Sequence, residues 1–170
     1  MILVCYDGSD DARAAIAHAA RLMPGADTTV LTVWEPFQLA LSRTGGMGMG
    51  MGTAYPDNGD IDAATEQAAR ACAAEGVERA RAAGMVAQPR IAARDDGVDG
   101  AILAVADDLN ADAIVVGSRG LTGLRSMLLG SVSHAILQHA NRSVIVVPSA
   151  AVAEHRGDWI HRKDAALATS

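Results

Sequence analysis

The sequence predicts an α/β protein, a single doubly wound domain with a five-stranded parallel sheet and helices on both faces. Three observations carry this reading. Short apolar, β-branched runs recur along the chain; Ala-rich amphipathic stretches alternate with them; and Gly, Pro, Asp or Ser closes each run. Strands that alternate with helices need long crossovers, and those crossovers cover both faces of a parallel sheet. Residues 1–149 account for this domain, and residues 150–170 read as a polar C-terminal tail with no clear place in the core.

Each element has its own signal. Residues 2–6 are an apolar strand closed by Asp7-Gly8-Ser9. A helix follows, with Ser9 suited to the N-cap and Asp10 and Asp11 to the positive end of the helix dipole. Ala12, Ala15, Ile16 and Ala19 share one face of it, and Pro24-Gly25 ends it. Residues 29–34 are a second strand, stopped by Glu35-Pro36. Residues 37–59 read as a long mobile loop, because they hold the run Gly45-Gly46-Met47-Gly48-Met49-Gly50-Met51-Gly52. Residues 61–83 form an Ala-rich helix with Ile61, Ala64, Ala68 and Cys72 near one face. Residues 86–92 are a weak strand whose Pro89 belongs at a sheet edge. The next helix has Val98, Ile102, Val105 and Leu109 in register. Residues 113–116 are a strongly apolar fourth strand ending at Gly117. Residues 118–129 lead into a helix with Val132, Ala135, Ile136 and His139 at helical spacing, and Val144 to Val147 form the fifth strand before Pro148.

Composition excludes several function classes. The formal net charge is −6 with no long basic run, which argues against nucleic acid as a general partner. No apolar run approaches the ~20 residues that a bilayer requires, so no membrane span is expected. The start of the chain lacks the basic region of a secretory signal, and Cys5 and Cys72 form no Cys-x-x-Cys. A cytoplasmic location is the default expectation. Cys5, in a buried strand, reads as inert packing. His134 and His139 are five apart and do not share a helical face, so no metal site is expected from them.

The stretch that carries chemistry is VVGSRGLTGLRSMLLGS, residues 115–131. Gly117 lies where a buried strand ends, Gly120 follows in the loop, and Gly130 and Ser131 open a helix. Glycine lets backbone N–H groups approach an anion, and a helix N-terminus adds unpaired donors and a positive dipole end. The Ser131 hydroxyl supplies a further donor, and Arg119 and Arg125 are cations that offset phosphate charge at the rim. The stretch therefore reads as a polyphosphate cradle, in a fold whose ligands bind beyond the carboxyl ends of the strands.

These residues fit the pattern G-x2-G-x9-G-[ST], which resembles that of ATP-binding universal stress proteins; Gly117, Gly120, Gly130 and Ser131 match it without a gap. Asp7-Gly8-Ser9 resembles the family's opening signature, and residues 142–148 (RSVIVVP) resemble its closing strand. The resemblance covers about residues 1–148. It implies a sheet order 3-2-1-4-5, Asp7 at the ribose hydroxyls, and the backbone of Val33 at the adenine edge. It further implies that the glycine loop, Ser131 and the N–H of Val132 hold the phosphates. ATP with Mg2+ is the implied ligand, and a homodimer built on Val144 to Val147 is the implied assembly. The protein then reads as a nucleotide-responsive regulatory module in stress response, not a catalyst. Slow ATP hydrolysis stays open as an alternative, as does a nucleotide-free interaction protein.

Rival readings fail on specific residues. A P-loop needs Gly-x4-Gly-Lys-[Ser/Thr], yet Lys163 in the tail is the only lysine in the chain. The same fact counts against a phospho-receiver domain. A dinucleotide-binding fold needs its glycine fingerprint after strand one, where Asp7-Gly8-Ser9-Asp10 stands instead. An ATP-pyrophosphatase needs a Ser-Gly-Gly-x-Asp-Ser loop there, which is also missing.

Overall fold

The structure, a computed structural model, describes residues 1–43, 59–95, 97–120, 129–155 and 157. Five strands form one parallel sheet: β1 (Ile2–Cys5), β2 (Asp27–Trp34), β3 (Val86–Ala93), β4 (Ala113–Gly117) and β5 (Ser143–Val147). Their order is β3-β2-β1-β4-β5, as the resemblance implies. Ile2 faces Thr28 of β2 on one side and Ala113 of β4 on the other. The chain direction across the sheet therefore reverses at β1, which opens a crevice between the carboxyl ends of β1 and β4. Pro89 sits in an edge strand, where a missing ladder donor is tolerated.

Side chains alternate across each strand, so the sheet has two cores. Ile2, Val4, Tyr6, Val30 and Val115 meet helices α1 (Asp10–Leu22) and α3 (Gly59–Ala82) on one face. Leu3, Leu31, Ile114 and Val116 meet α4 (Val98–Asp108) and α5 (Ser131–His139) on the other. With so few aromatics, close approach replaces bulk. On Gly76 of α3 a Cβ would fall 2.8 Å from Val30 Cγ1 and 2.9 Å from Tyr6 Cδ1, so only glycine lets α3 lie this near the sheet. The α1 face is the predicted one: Ala12, Ala15, Ile16 and Ala19 are all buried, and Ser9 Oγ accepts the Ala12 N–H as an N-cap.

Four expectations need correction. Residues at the start of the predicted loop are helical: α2 (Phe37–Arg43) follows Pro36, whose carbonyl accepts from the Leu39 and Ala40 N–H groups. The Phe37 N–H is taken by Asp62 Oδ1 at 2.6 Å, which ties α2 to α3. The Gly/Met run at 45–52 lies outside the described residues.

The buried face of α3 is Ala69, Ala73, Gly76, Val77 and Ala80, while Ile61, Ala64 and Ala68 are exposed. At 24 residues, α3 is about 36 Å long, against about 27 Å for an eight-residue strand, so its first turns have no sheet beneath them. In α5 the buried side chains are Ser133 and Ile136, and His139 is exposed. Finally, the C-terminal segment does reach the core. Residues 150–155 are helical, Ala153 N–H donates to Ser149 O at 2.9 Å, and Val152 is 7% exposed.

Candidate functional site

At the carboxyl ends of β1, β2 and β4 the structure has a cleft of about 440 Å³. Its lining includes all of Asp7, Val33, Gly117, Arg119, Gly120, Gly130, Ser131 and Val132, the residues singled out from the sequence. Leu31, Val33, Val98, Ile102 and Val116 make one part apolar, while Asp7, Arg119 and the start of α5 make another polar. Arg125 lies outside the described residues.

Asp7 stands where β1 gives way to the turn before α1. Its Oδ1 accepts the Ser9 N–H at 3.0 Å, so the carboxylate shapes the turn. Gly8 beside it has φ +79, a left-handed conformation that favours glycine. The other oxygen, Oδ2, lies toward the glycine loop, since a Cβ on Gly120 would come within 2.8 Å of it. A turn-forming role and a place on the cleft wall therefore coexist in one side chain.

The glycines differ in what they do. Gly117 is there for packing: a Cβ would meet the Asp11 carbonyl carbon and Asp11 Cβ at 2.9 Å and the Ala12 nitrogen at 3.0 Å. It lets β4 pass against the first turn of α1, a packing reason for glycine that stands beside its place on the cleft wall. Gly130 is the N-cap of α5, with φ −69 and ψ 160 and no side chain to cap the first turn. Its N–H donates to Ser118 O at 2.7 Å, which brings Gly130 against the end of β4. The N-terminal donors of α5 thus face the cleft at Ser131 and Val132.

Asp11 was read from the sequence only as a dipole-favoured helix residue. It is 5% exposed, and its Oδ2 accepts from Ser118 Oγ at 2.7 Å and from the Arg119 N–H at 3.0 Å. Burial works to raise its carboxyl pKa, but hydrogen bonds from Ser149, Ser118 and Arg119 outweigh it and hold the group below its ordinary value. Only its place two residues after Ser9, with an apolar residue following, could have hinted at an inward face. Arg119, next in the loop, has a buried Nε with no hydrogen-bond partner among the described residues. An orphaned guanidinium donor at the wall of a cleft is costly unless something in the cleft accepts from it.

The thiol of Cys5 also lines the cleft, and burial together with the nearby Asp7 charge pushes its pKa up to about 12. Among the described residues no group of three or more His, Cys, Asp or Glu could hold a metal ion. No helix there is long and apolar enough to cross a membrane.

The profile of the Universal stress protein family matches residues 1–148. A universal stress protein of Thermus aquaticus is 32% identical over 157 residues, 86% of this chain and 96% of the relative. The solved structure of MJ0577 superposes with a TM-score of 0.67 at 21% identity, covering 86% of this chain and 94% of that one. A universal stress protein from Archaeoglobus fulgidus, solved with dAMP, is 25% identical with a TM-score of 0.50, covering 86% of this chain and 95% of that one. Similar structures also include complexes with cAMP and with AMP. By its sequence profile, its full-length relative and its sheet order, the chain belongs to the universal stress protein family.

Proposed function

We propose that the cleft binds ATP, with Mg2+ carried on the phosphates, and that the protein works as a nucleotide-responsive regulatory module in stress response. One observation carries the reading: Asp7, Val33, the glycine loop and the start of α5 line a single cleft, with an Arg119 Nε in its wall that has no partner among the described residues. The residues present fit such a ligand. The apolar part at Leu31, Val33, Val98 and Ile102 suits a base, and Asp7 suits the two hydroxyls of a ribose. Arg119 and the N–H groups of Ser131 and Val132 suit phosphate oxygens. The adenine nucleotides held by similar structures support the class of ligand.

The chain is proposed as a binder and not a catalyst, because none of the described residues at the cleft reads as a water-activating base. We also propose a homodimer along Val144 to Val147, since β5 is an edge strand of the sheet. In the cell the protein is proposed to be cytoplasmic. Protein purified without added nucleotide, denatured and run on an anion-exchange column, tests the cleft. ATP in the eluate, or micromolar ATP affinity by calorimetry with weaker GTP, is the expected result. An empty protein that calorimetry shows indifferent to ATP, AMP and cAMP overturns it.

A further inference from the structure

We propose that Ser133 is a positioning residue for phosphate recognition: its buried hydroxyl pins the first turn of α5 to the end of β4, so that the N–H groups of that turn are aimed before a ligand arrives. This role rests on the nucleotide reading of the cleft, whereas the pin itself is geometric.

The chain leaves β4 at Ser118 and enters α5 after Gly130. Ser118 O joins the two places: it accepts from the Gly130 N–H at 2.7 Å and from Ser133 Oγ at 3.1 Å. The same Oγ lies 3.0 Å from Gly130 O, so one hydroxyl proton is shared between two carbonyls. A bond from a serine back to the carbonyl three residues before it is common in a first turn. The bond across to Ser118 O, 15 positions away, is what makes a pin. Ser133 is 2% and Ser118 0% exposed, so water does not replace these bonds. The fit is close, since a Cβ on Gly130 would lie 3.4 Å from Ser118 O and 3.5 Å from Arg119 Cα. Ser118 is itself held from two other elements: its N–H donates to Val147 O of β5 at 2.8 Å, and its hydroxyl to Asp11 Oδ2 of α1 at 2.7 Å.

The pinned turn is the one that meets the cleft. Ser131, Val132 and Ser133 open α5, and all three line the cleft. The N–H groups at such a start have no carbonyl of their own helix to meet. The helical ladder begins one residue later, where the His134 N–H donates to Gly130 O at 3.0 Å. Gly130, the N-cap, has no side chain with which to hold this turn, so the holding falls to the Ser133 hydroxyl inside it. Donors fixed in advance lose less freedom when an anion binds, and that raises affinity without adding a contact. The parts of the cleft that suit a base and a ribose, Val33 and Asp7, lie instead at the ends of β2 and β1. Loss of the hydroxyl therefore weakens the hold on phosphates and leaves the hold on the nucleoside. A residue that only stabilised the fold would weaken both alike.

The test uses the full chain, with ATP and adenosine as probes. Calorimetry reads the affinity for ATP, and displacement of ATP reads that for adenosine. In Ser133→Ala the ATP affinity falls about five-fold, as expected for one lost hydrogen bond, while the adenosine affinity is unchanged. Ser133→Thr, which keeps the hydroxyl, keeps the wild-type ratio of the two affinities. Equal losses for ATP and adenosine overturn the proposal, as does wild-type ATP affinity in Ser133→Ala or a Ser133→Thr ratio no better than that of Ser133→Ala. If Ser133→Ala does not fold, Ser133→Cys decides, being close in size with a weak donor: a lowered ratio of ATP to adenosine affinity supports the pin, and the wild-type ratio overturns it. If wild type takes up neither probe, the nucleotide reading fails separately. The Gly130 amide in nucleotide-free protein then decides: hydrogen exchange about ten-fold faster in Ser133→Ala, with Val4 unchanged, supports the pin, and equal rates overturn it.

Discussion

Gly120 stands against Asp7 across the mouth of the cleft: a Cβ on Gly120 would lie 2.8 Å from Asp7 Oδ2. The obstructed atom is the end of a side chain, which can swing, so Gly120→Ala displaces the carboxylate without unfolding the domain. ATP affinity should fall about ten-fold while the melting temperature moves little. Asp7→Ala removes the carboxylate altogether and should cost about one to two decades, since a hydrogen bond to a charged group is worth roughly 1.5–3 kcal/mol. Calorimetry and thermal melts on both variants check this. Normal ATP binding by Asp7→Ala would show that the residue only shapes the turn.

Gly117→Ala should behave in the opposite way. Its new methyl meets backbone atoms of Asp11 and Ala12 near 2.9–3.0 Å, and backbone cannot swing aside. Urea unfolding should show a loss of about 1–3 kcal/mol, the usual cost of overpacking. A variant as stable as wild type would mean that β4 and α1 part easily.

Gly76→Ala sets two effects against each other. Alanine favours a helix over glycine by about 1 kcal/mol, but this methyl falls 2.8 Å from Val30 Cγ1 and 2.9 Å from the Tyr6 ring. Overpacking at about 1–3 kcal/mol outweighs the propensity gain, so the net effect is destabilising. A stability gain in urea melts would contradict the close approach of α3.

Asp11 gives a pH signature. Its carboxyl lies below the ordinary 3.8 in the folded protein, so its contribution to stability is complete above that value and is lost as pH falls through the folded pKa. Wild type should therefore exceed Asp11→Asn in stability at pH 7 and at pH 5, with the gap closing below about pH 4. Urea melts at three pH values measure the gap. A gap that widens on acidification reverses the sign and refutes the assignment.

Sedimentation tests the edge. The wild-type chain at micromolar concentration should run at twice its 17.5 kDa if two copies pair along β5. Charges at Ile145 or Val146 are poor probes, because both side chains also pack against their own domain's cores. A monomeric wild type ends the proposal.

The sequence carried the strands well, because each is a short apolar run with a clear stop, and Pro89 even marked an edge. Helix faces were legible where a sheet lies beneath the whole helix, as in α1, and misleading in α3, whose first turns overhang. Pattern alone does not report where the sheet ends. The cleft residues were legible through glycine spacing, but the packing of Gly117 against α1 was not. The weight of Asp11 was hidden, since an acid in a first turn has a sufficient explanation in the helix dipole. Its partners Ser118 and Ser149 are distant in sequence and look ordinary there. Val152 was hidden for a similar reason, being one apolar residue among polar neighbours.

The meeting of Ser118 with Asp11 joins residues 107 positions apart in the chain. β2, α2, α3, β3 and α4 all intervene, so the cleft does not exist until the first strand has found the fourth. Such long-range closure is a late and slow event in folding. A molecule held in the cleft would therefore recognise only chains that have finished folding, and at concentrations above its dissociation constant it would draw the folding equilibrium toward them. Occupancy of the cleft would then double as a certificate of assembly: a newly made or heat-damaged copy could not answer to nucleotide until β1 and β4 had paired.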